Sequence, residues 1–91
     1  MTEFDLIIRG GQVVTATDVM HCEIGIRDSR IVALAEKLNT NDAKIIDAEG
    51  CWITPGGVDG HCHLDQPSTD GSMAADDFLT GARSALAGGT T

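Results

Sequence analysis

Two histidines separated by one residue, His61 and His63, are the side chains in this sequence whose type and spacing could do chemistry. They follow a Pro-Gly-Gly break at 55–57. In an extended segment side chains alternate, so both imidazoles would share one face and Cys62 would take the other. Imidazole is a common ligand of divalent metals. The spacing therefore predicts that His61 and His63 bind one metal ion, and a surface or structural pair is the plainer alternative.

Two carboxylates, Asp59 and Asp65, flank this motif. Either could accept a hydrogen bond from a ligand imidazole and orient the ring. The alternative is a solvated carboxylate or one that caps a turn. His21 has no partner at ligand spacing, and we expect it at the surface.

The charge balance excludes several classes of partner. Fourteen acidic residues against six basic ones give a net charge of -8, which disfavours binding to phosphate backbones and anionic lipid. The N-terminal segment 1–5 carries acids where a signal peptide carries basic residues, and the apolar run 6–8 is too short to span a bilayer. These features predict a cytoplasmic protein that binds neither nucleic acid nor membrane.

The cysteines and glycine pairs do not indicate further sites. Cys22, Cys51 and Cys62 are odd in number, widely spaced and without a Cys-x-x-Cys pair, so we expect buried or idle thiols rather than disulfides or a thiolate zinc site. The glycine pairs beginning at 10, 56 and 88 do not have the Gly-x-Gly-x-x-Gly spacing of a phosphate-binding loop.

The first half of the chain is predicted to consist of short strands. Gly10-Gly11 is expected to close a hairpin, Asp28-Ser29 a second turn, and 36–43 an exposed loop. Trp52, on a predicted strand, and Phe78, on the predicted helix described below, are both expected in the core. Roughly six strands at this spacing predict a small sandwich or a partial barrel. The predicted strands are 5–9, 12–15, 22–27, 31–35, 44–48 and 51–54.

After Pro55 the pattern changes to that of a βαβ unit. It predicts a strand at 58–63, a polar loop at 64–73, a helix at 75–87, a glycine stop at 88–89 and a new strand at 90–91. A parallel (β/α)₈ barrel needs about 250 residues, so this start predicts the N-terminal piece of a longer polypeptide. The apolar stripe of the predicted helix consists of Phe78, Leu79, Ala82, Ala85 and Leu86.

Several motifs, in order along nearly the whole chain, resemble the start of the cyclic amidohydrolases of the amidohydrolase superfamily. The best resemblance is to the dihydropyrimidinase and D-hydantoinase group. The motifs are 5–11, 25–28, 30–33, 46–50, 55–63, 75–78 and 87–91.

The resemblance implies a mainly β chain with two parts. Residues 1–55 would be the N-terminal portion of a β-sandwich domain, and 56–91 the first β-strand and α-helix of a (β/α)₈ TIM-type barrel. His63 would then lie at the C-terminal end of the first barrel strand, where active sites of such barrels are found.

The resemblance also implies a pair of zinc ions bridged by a carboxylated lysine. His61 and His63 fall on the His-x-His motif that binds the more buried ion. The lysine, two more histidines and an aspartate that shuttles the proton would lie beyond residue 91, so no catalytic residue is expected in this chain. Two histidines fall short of the three protein ligands usual for catalytic zinc, so we expect the 91-residue chain alone to be inactive and to hold zinc weakly.

The implied activity is hydrolytic opening of a small cyclic amide, such as a dihydropyrimidine or a hydantoin, by a homo-oligomeric full-length enzyme. In this family the loop 64–73 forms a wall around the substrate's exocyclic group. Many hydantoinases have a bulky aromatic residue near the position of Ser68, so we expect this loop to admit polar or small substituents.

Three alternatives remain open. Allantoinases and dihydroorotases share the His-x-His start. A non-catalytic scaffold protein related to dihydropyrimidinase is a second possibility, which the intact His61 and His63 disfavour. A free-standing β-rich interaction module is the third, and the apolar helix stripe with nothing to pack against disfavours it.

Overall fold

The computed structural model describes residues 3–91, which are mainly strands with one helix. The expectation for the N-terminal segment 1–5 includes Met1 and Thr2, which lie outside the described residues. The chain divides into two compact units with the boundary between Pro55 and Gly56. The elements are β1 (Leu6–Arg9), β2 (Gln12–Val14), β3 (Val19–His21), β4 (Glu23–Arg27), β5 (Arg30–Ala35), β6 (Lys44–Asp47), β7 (Trp52–Ile53) and α1 (Phe78–Ala87).

The first unit contains two sheets that share one apolar core. The four-stranded sheet has the order β5-β4-β1-β6, and the three-stranded sheet has the order β3-β2-β7. Ile24 of the larger sheet, Val13 of the smaller one and Cys22 between β3 and β4 are buried together. Ile8, Ile26, Met20 and Ile53 pack around them. This is a sandwich arrangement, one of the two that the strand pattern predicted, in which the inner faces of both sheets supply the core.

The hairpin between β4 and β5 agrees with the sequence prediction. The two strands are antiparallel, and Arg27 pairs with Arg30 across the turn. Asp28 and Ser29 both have positive φ, 51° and 62°. Two successive left-handed residues are typical of the tight hairpin turns whose twist matches that of the strands.

The predicted hairpin at Gly10-Gly11 is wrong, because these glycines form a corner between the two sheets. β1 pairs with β4 and β6, whereas β2 pairs with β3 and β7. Gly10 has a φ of 86°. A Cβ on Gly11 would lie 2.8 Å from Ile53 Cδ1 and 2.9 Å from the Ala48 carbonyl oxygen, so the corner needs a residue without a side chain.

Two further features of this unit differ from the prediction. The three-residue strand β3 was not predicted, which brings the number of strands to seven among residues 3–91. Trp52, expected in the core, has 78% of its surface exposed. The reason is alternation: in β7 the neighbouring Ile53 packs on the core, so Trp52 takes the opposite face.

The strand predicted at 58–63 is wrong, since no strand is present there in the described part of the chain. Gly57 instead forms a single parallel bridge with Thr90. The Gly57 amide donates to the Gly89 carbonyl at 2.7 Å, and the Thr91 amide donates to the Gly57 carbonyl at 2.9 Å. Within 56–91 the ladder has this one rung, too short for a strand. The parallel direction is nevertheless the one that a βαβ unit requires.

The helix α1 begins at Phe78, three residues later than predicted, because Asp77 caps it. Asp77 Oδ1 accepts a hydrogen bond from the Thr80 amide at 2.8 Å, and Thr80 Oγ1 accepts one from the Asp77 amide at 3.1 Å. This reciprocal pair is a capping box. At the other end Gly89 has a φ of 91°, and the Thr90 amide donates to the Ala85 carbonyl at 2.9 Å. The predicted glycine stop is therefore confirmed.

The predicted apolar stripe of α1 is largely exposed. Phe78, expected in the core, is 67% exposed, and Leu79 and Leu86 are 60% and 63% exposed. The buried residue of the helix is Gly81. Leu64 lies against it, where a Cβ on Gly81 would come within 2.2 Å of Leu64 Cδ2. Among residues 3–91 no helix is both long enough and apolar enough to cross a membrane.

Candidate metal centre

The two histidine rings converge. His61 Nε2 and His63 Nε2 lie 3.1 Å apart, and the ring centroids are separated by 5.0 Å at an angle of 49°. Both residues are exposed. Because 58–63 forms no strand, the shared direction of the rings comes from local turns rather than from strand alternation.

The side chain of Asp59 holds the backbone just before the histidine pair. Its Oδ1 accepts a hydrogen bond from the His61 amide at 3.0 Å, which closes a turn through the Asp side chain. The carboxylate therefore bonds to the backbone of His61 in this structure. Asp65 has a φ of 49°, and its amide donates to the Asp76 carbonyl at 2.8 Å. The roles of Asp59 and Asp65 in orienting a ligand imidazole stay predictions.

The side chain of Gln66, which the sequence did not indicate as part of the site, contacts His63. His63 Nδ1 is in hydrogen-bond contact with Gln66 Oε1. The contact depends on the left-handed backbone at Asp65, which turns the chain back so that residue 66 faces residue 63. Asp and Asn are the residues beside glycine that adopt this conformation most readily, so an Asp between His63 and Gln66 was the one available signal.

The segment after the motif is a compact hairpin-like loop. The Ala74 amide donates to the Gln66 carbonyl at 2.8 Å, and the Ser68 amide donates to the Ser72 carbonyl at 2.6 Å. At its tip the Asp70 carboxylate accepts hydrogen bonds from Ser72 Oγ and the Ser72 amide, which hold the pKa of Asp70 below its ordinary value. These bonds give the polar loop predicted at 64–73 a defined shape.

An open groove of about 360 Å³ lies against this loop. His63 lines it, so a small molecule in the groove would lie beside that histidine. Its lining residues are His63, Gln66, Pro67, Ser68, Thr69 and Ala74.

The geometry of the pair fits two ligands of one zinc ion. With Zn–N distances of about 2.0–2.1 Å and tetrahedral angles, two ligand nitrogens lie about 3.3 Å apart. The observed separation of the two Nε2 atoms is 3.1 Å. In the part of the chain from residue 3 onward, no cluster of three or more His, Cys, Asp or Glu side chains could hold a metal. The pair alone would therefore be too few ligands to hold an ion, and further ligands would have to join it.

The sequence has one further histidine and three cysteines. His21 is exposed, as predicted, and its Nε2 lies 3.5 Å from Gln12 Nε2. Cys22 is buried, while Cys51 and Cys62 are exposed free thiols.

Comparison with known proteins identifies the relatives of the chain. No protein-family profile matches it. A D-hydantoinase from Geobacillus stearothermophilus is 42% identical over 85 residues, which cover 93% of this chain and 18% of the relative. The crystal structure of D-hydantoinase from Bacillus sp. AR9 superposes with a TM-score of 0.88 at 49% identity, covering 94% of this chain and 18% of the other. This chain is homologous to the N-terminal part of the D-hydantoinases.

Proteins of related names match over the same stretch. The dihydropyrimidinase of Rattus norvegicus is 38% identical over 91 residues, covering 94% of this chain and 17% of the relative. The resemblance to the dihydropyrimidinase and D-hydantoinase group is therefore confirmed. So is the fold class, a mainly β chain that corresponds to the N-terminal sandwich portion and the start of the barrel in D-hydantoinase structures. The chain spans less than a fifth of the length of these relatives.

Proposed function

We propose that this chain forms the N-terminal part of a metal-dependent hydrolase that opens cyclic amides, and that His61 and His63 bind a zinc ion in it. The observation that carries the proposal is the 3.1 Å separation of the two Nε2 atoms, which suits two ligands of one tetrahedral ion. The homology to D-hydantoinases and a dihydropyrimidinase supports the reaction class. The intact histidine pair favours an enzyme over a scaffold protein.

Further ligands have to join this pair in the working site. Catalytic zinc sites usually have three protein ligands and an open position, and the described residues supply two nitrogens. We propose that the other ligands, including a carboxylated lysine that bridges two ions, and the proton-shuttling aspartate come from segments beyond the 91 residues. The assignment of 1–55 to a sandwich domain and of 56–91 to the start of a barrel belongs to the same proposal.

The residues of this chain would hold the metal and shape one wall of the substrate site. When bound, the metal supplies Lewis-acid chemistry, polarising an amide carbonyl and making water a nucleophile near neutral pH. His61 and His63 would fix its place through Nε2 atoms that lie 3.1 Å apart, and the groove beside His63 leaves room for a small ring. Hydantoin and dihydrouracil are the first substrates to test, and allantoin follows because allantoinases are among the relatives, at 39% identity over 88 residues in Bacillus licheniformis.

A chimera tests the proposal without assuming where the natural protein begins or ends. In the Geobacillus stearothermophilus D-hydantoinase, the matching N-terminal segment is replaced by this chain. The chimera should hydrolyse hydantoin and retain zinc. His61→Asn and His63→Asn should each lower kcat/KM by more than about 100-fold, because each removes a metal ligand. Zinc per protomer, measured by elemental analysis, should fall in parallel.

His21→Asn is the matched control, since it makes the same change at an exposed histidine remote in sequence from the pair. It should leave activity and zinc content unchanged. Circular dichroism and size-exclusion chromatography establish that each variant is folded. The proposal is refuted if a folded His61→Asn or His63→Asn chimera keeps both its zinc and its activity.

A further inference from the structure

We propose that Gln66 is a positioning residue: its side-chain oxygen holds His63 as the tautomer with hydrogen on Nδ1, which leaves the Nε2 lone pair free for the metal. The inference rests on the proposed function only for the identity of what Nε2 binds. The Gln66–His63 contact itself involves only residues of this chain.

The hydrogen-bond partners of the His63 ring determine its tautomer. A neutral imidazole carries one N–H donor and one acceptor nitrogen. Gln66 Oε1, which contacts His63 Nδ1, is an acceptor and carries no hydrogen. The hydrogen of the ring therefore resides on Nδ1, and Nε2 is the acceptor.

The tautomer of His61 follows from that of His63. Its Nε2 lies 3.1 Å from His63 Nε2, a hydrogen-bond distance that requires one donor and one acceptor. Because His63 Nε2 is the acceptor, His61 must carry its hydrogen on Nε2. Without a metal ion the two rings would thus have opposite tautomers, and only His63 would already be in the form that a metal needs at Nε2.

The backbone around Gln66 holds this residue in place. The positive φ of Asp65, 49°, turns the chain immediately before it. The Gln66 carbonyl accepts from the Ala74 amide, and the Asp65 amide donates to the Asp76 carbonyl, both at 2.8 Å. Two backbone hydrogen bonds from the opposite side of the loop therefore fix the position from which the side chain reaches His63.

The consequence for metal binding can be given as a fold-change. Partners that hold the second ring nitrogen of a ligand histidine typically contribute 10–100-fold to metal affinity, because they fix both tautomer and ring orientation. Gln66→Met keeps a side chain of similar length but removes the acceptor oxygen. We expect about 10–100-fold weaker zinc binding from this variant. Gln66→Glu keeps an acceptor at the same place and should restore the affinity.

The test begins with the tautomers in the metal-free 91-residue chain, which need no zinc to observe. Long-range ¹H–¹⁵N correlation spectra at about pH 8.5, where unperturbed imidazole is neutral, distinguish Nδ1–H from Nε2–H rings. We expect Nδ1–H for His63 and Nε2–H for His61. Gln66→Met should give a mixture at His63, and Gln66→Glu should return it to Nδ1–H. Gln12→Met, the same change beside His21, is the matched control and should alter neither ring of the pair.

Zinc affinity is then measured by chelator competition in the D-hydantoinase chimera with the same variants. The inference is supported if Gln66→Met both mixes the His63 tautomers and weakens zinc binding by at least about 10-fold, with rescue by Glu. An Nε2–H ring at His63 in the unmodified chain overturns it, as does a loss of zinc affinity in Gln66→Met without any change of tautomer.

Failure of the proposed function gives a different pattern. If His61→Asn and His63→Asn leave zinc and activity intact, the metal role of the pair is wrong. The tautomer of His63 would still respond to Gln66→Met, which supports the assigned hydrogen bond. Conversely, zinc that depends on both histidines while His63 keeps its tautomer in Gln66→Met overturns the role of Gln66 and leaves the proposed function standing.

Discussion

Replacing Gly81 by alanine tests the packing that anchors α1 beside the histidine motif. In an open helical position, glycine to alanine stabilises by about 1 kcal/mol. At Gly81 the new Cβ would lie 2.2 Å from Leu64 Cδ2, with Leu64 Cδ1 and Cγ at 3.1 and 3.2 Å. Leu64 would have to move, and forcing an extra methyl group into a packed site costs about 1–3 kcal/mol. We therefore expect Gly81→Ala to destabilise the helix by about 1 kcal/mol, and at most about 2.

The same helix offers a control for this substitution. A Cβ on Gly88 would meet only the Ala85 and Ser84 carbonyl oxygens, both at an ordinary 3.6 Å, and the φ of Gly88 is -89°. Gly88→Ala should therefore be neutral or stabilising. The free energy of opening of α1 is measured by amide hydrogen exchange of residues 82–87 in both variants.

A double-mutant cycle isolates the contact. Leu64→Ala removes the methyl groups that the new Cβ would strike, so Gly81→Ala should become stabilising by about 1 kcal/mol in that background. The change of sign is the signature of direct packing. If Gly81→Ala stabilises α1 while Leu64 is intact, then Leu64 does not lie against the helix and the reasoning is wrong.

Two further predictions concern the sandwich and the helix cap. Gly25→Ala should lower the free energy of unfolding, measured by urea denaturation, by about 2–3 kcal/mol. The reason is that the new Cβ would lie 2.6 Å from two ring atoms of the buried Phe4 and 3.1 Å from Leu38 Cδ1. A loss below about 0.5 kcal/mol would contradict this packing. Hydrogen bonds from Thr80 hold the pKa of Asp77 below its ordinary 3.8, so the charged cap stabilises α1 above that pH and loses this effect as the pH falls through the lower folded-state pKa. Helical circular dichroism should show this acid step in the native chain and lack it in Asp77→Asn; an unchanged step in the variant would assign it to another group.

The sequence predicts best those features that depend on neighbouring residues. The β4–β5 hairpin followed from alternation and the Asp28-Ser29 turn, and the end of α1 followed from its glycines. The sequence does not predict which strands pair with each other. β1 pairs with β4 and β6, which are remote in sequence, so a Gly-Gly pair between two short apolar runs does not reveal whether the chain returns along the same sheet or enters another.

The candidate site shows the same division. The spacing of His61 and His63 indicated the ligand pair, although the rings converge through turns and not through a strand. Gln66 was missed because its contact with His63 depends on the backbone conformation at Asp65, a single φ angle that the sequence permits without requiring. Trp52 was misplaced because hydrophobicity does not say which face of a two-residue edge strand meets the core.

The corner at Gly10-Gly11 has a consequence for how the sandwich assembles. β1 and β2 form one bent segment, and β6 and β7 form a second that runs parallel to it through both sheets. Leu6 pairs with Lys44 before the bend, and Gln12 pairs with Trp52 after it. Between these two pairs the second segment therefore contains two more residues than the first. A slip of one residue in either sheet would therefore be transmitted to the other. The two segments therefore have to align in both sheets at once during folding. Because this alignment pairs residues about forty positions apart in sequence, we expect the unit to fold slowly.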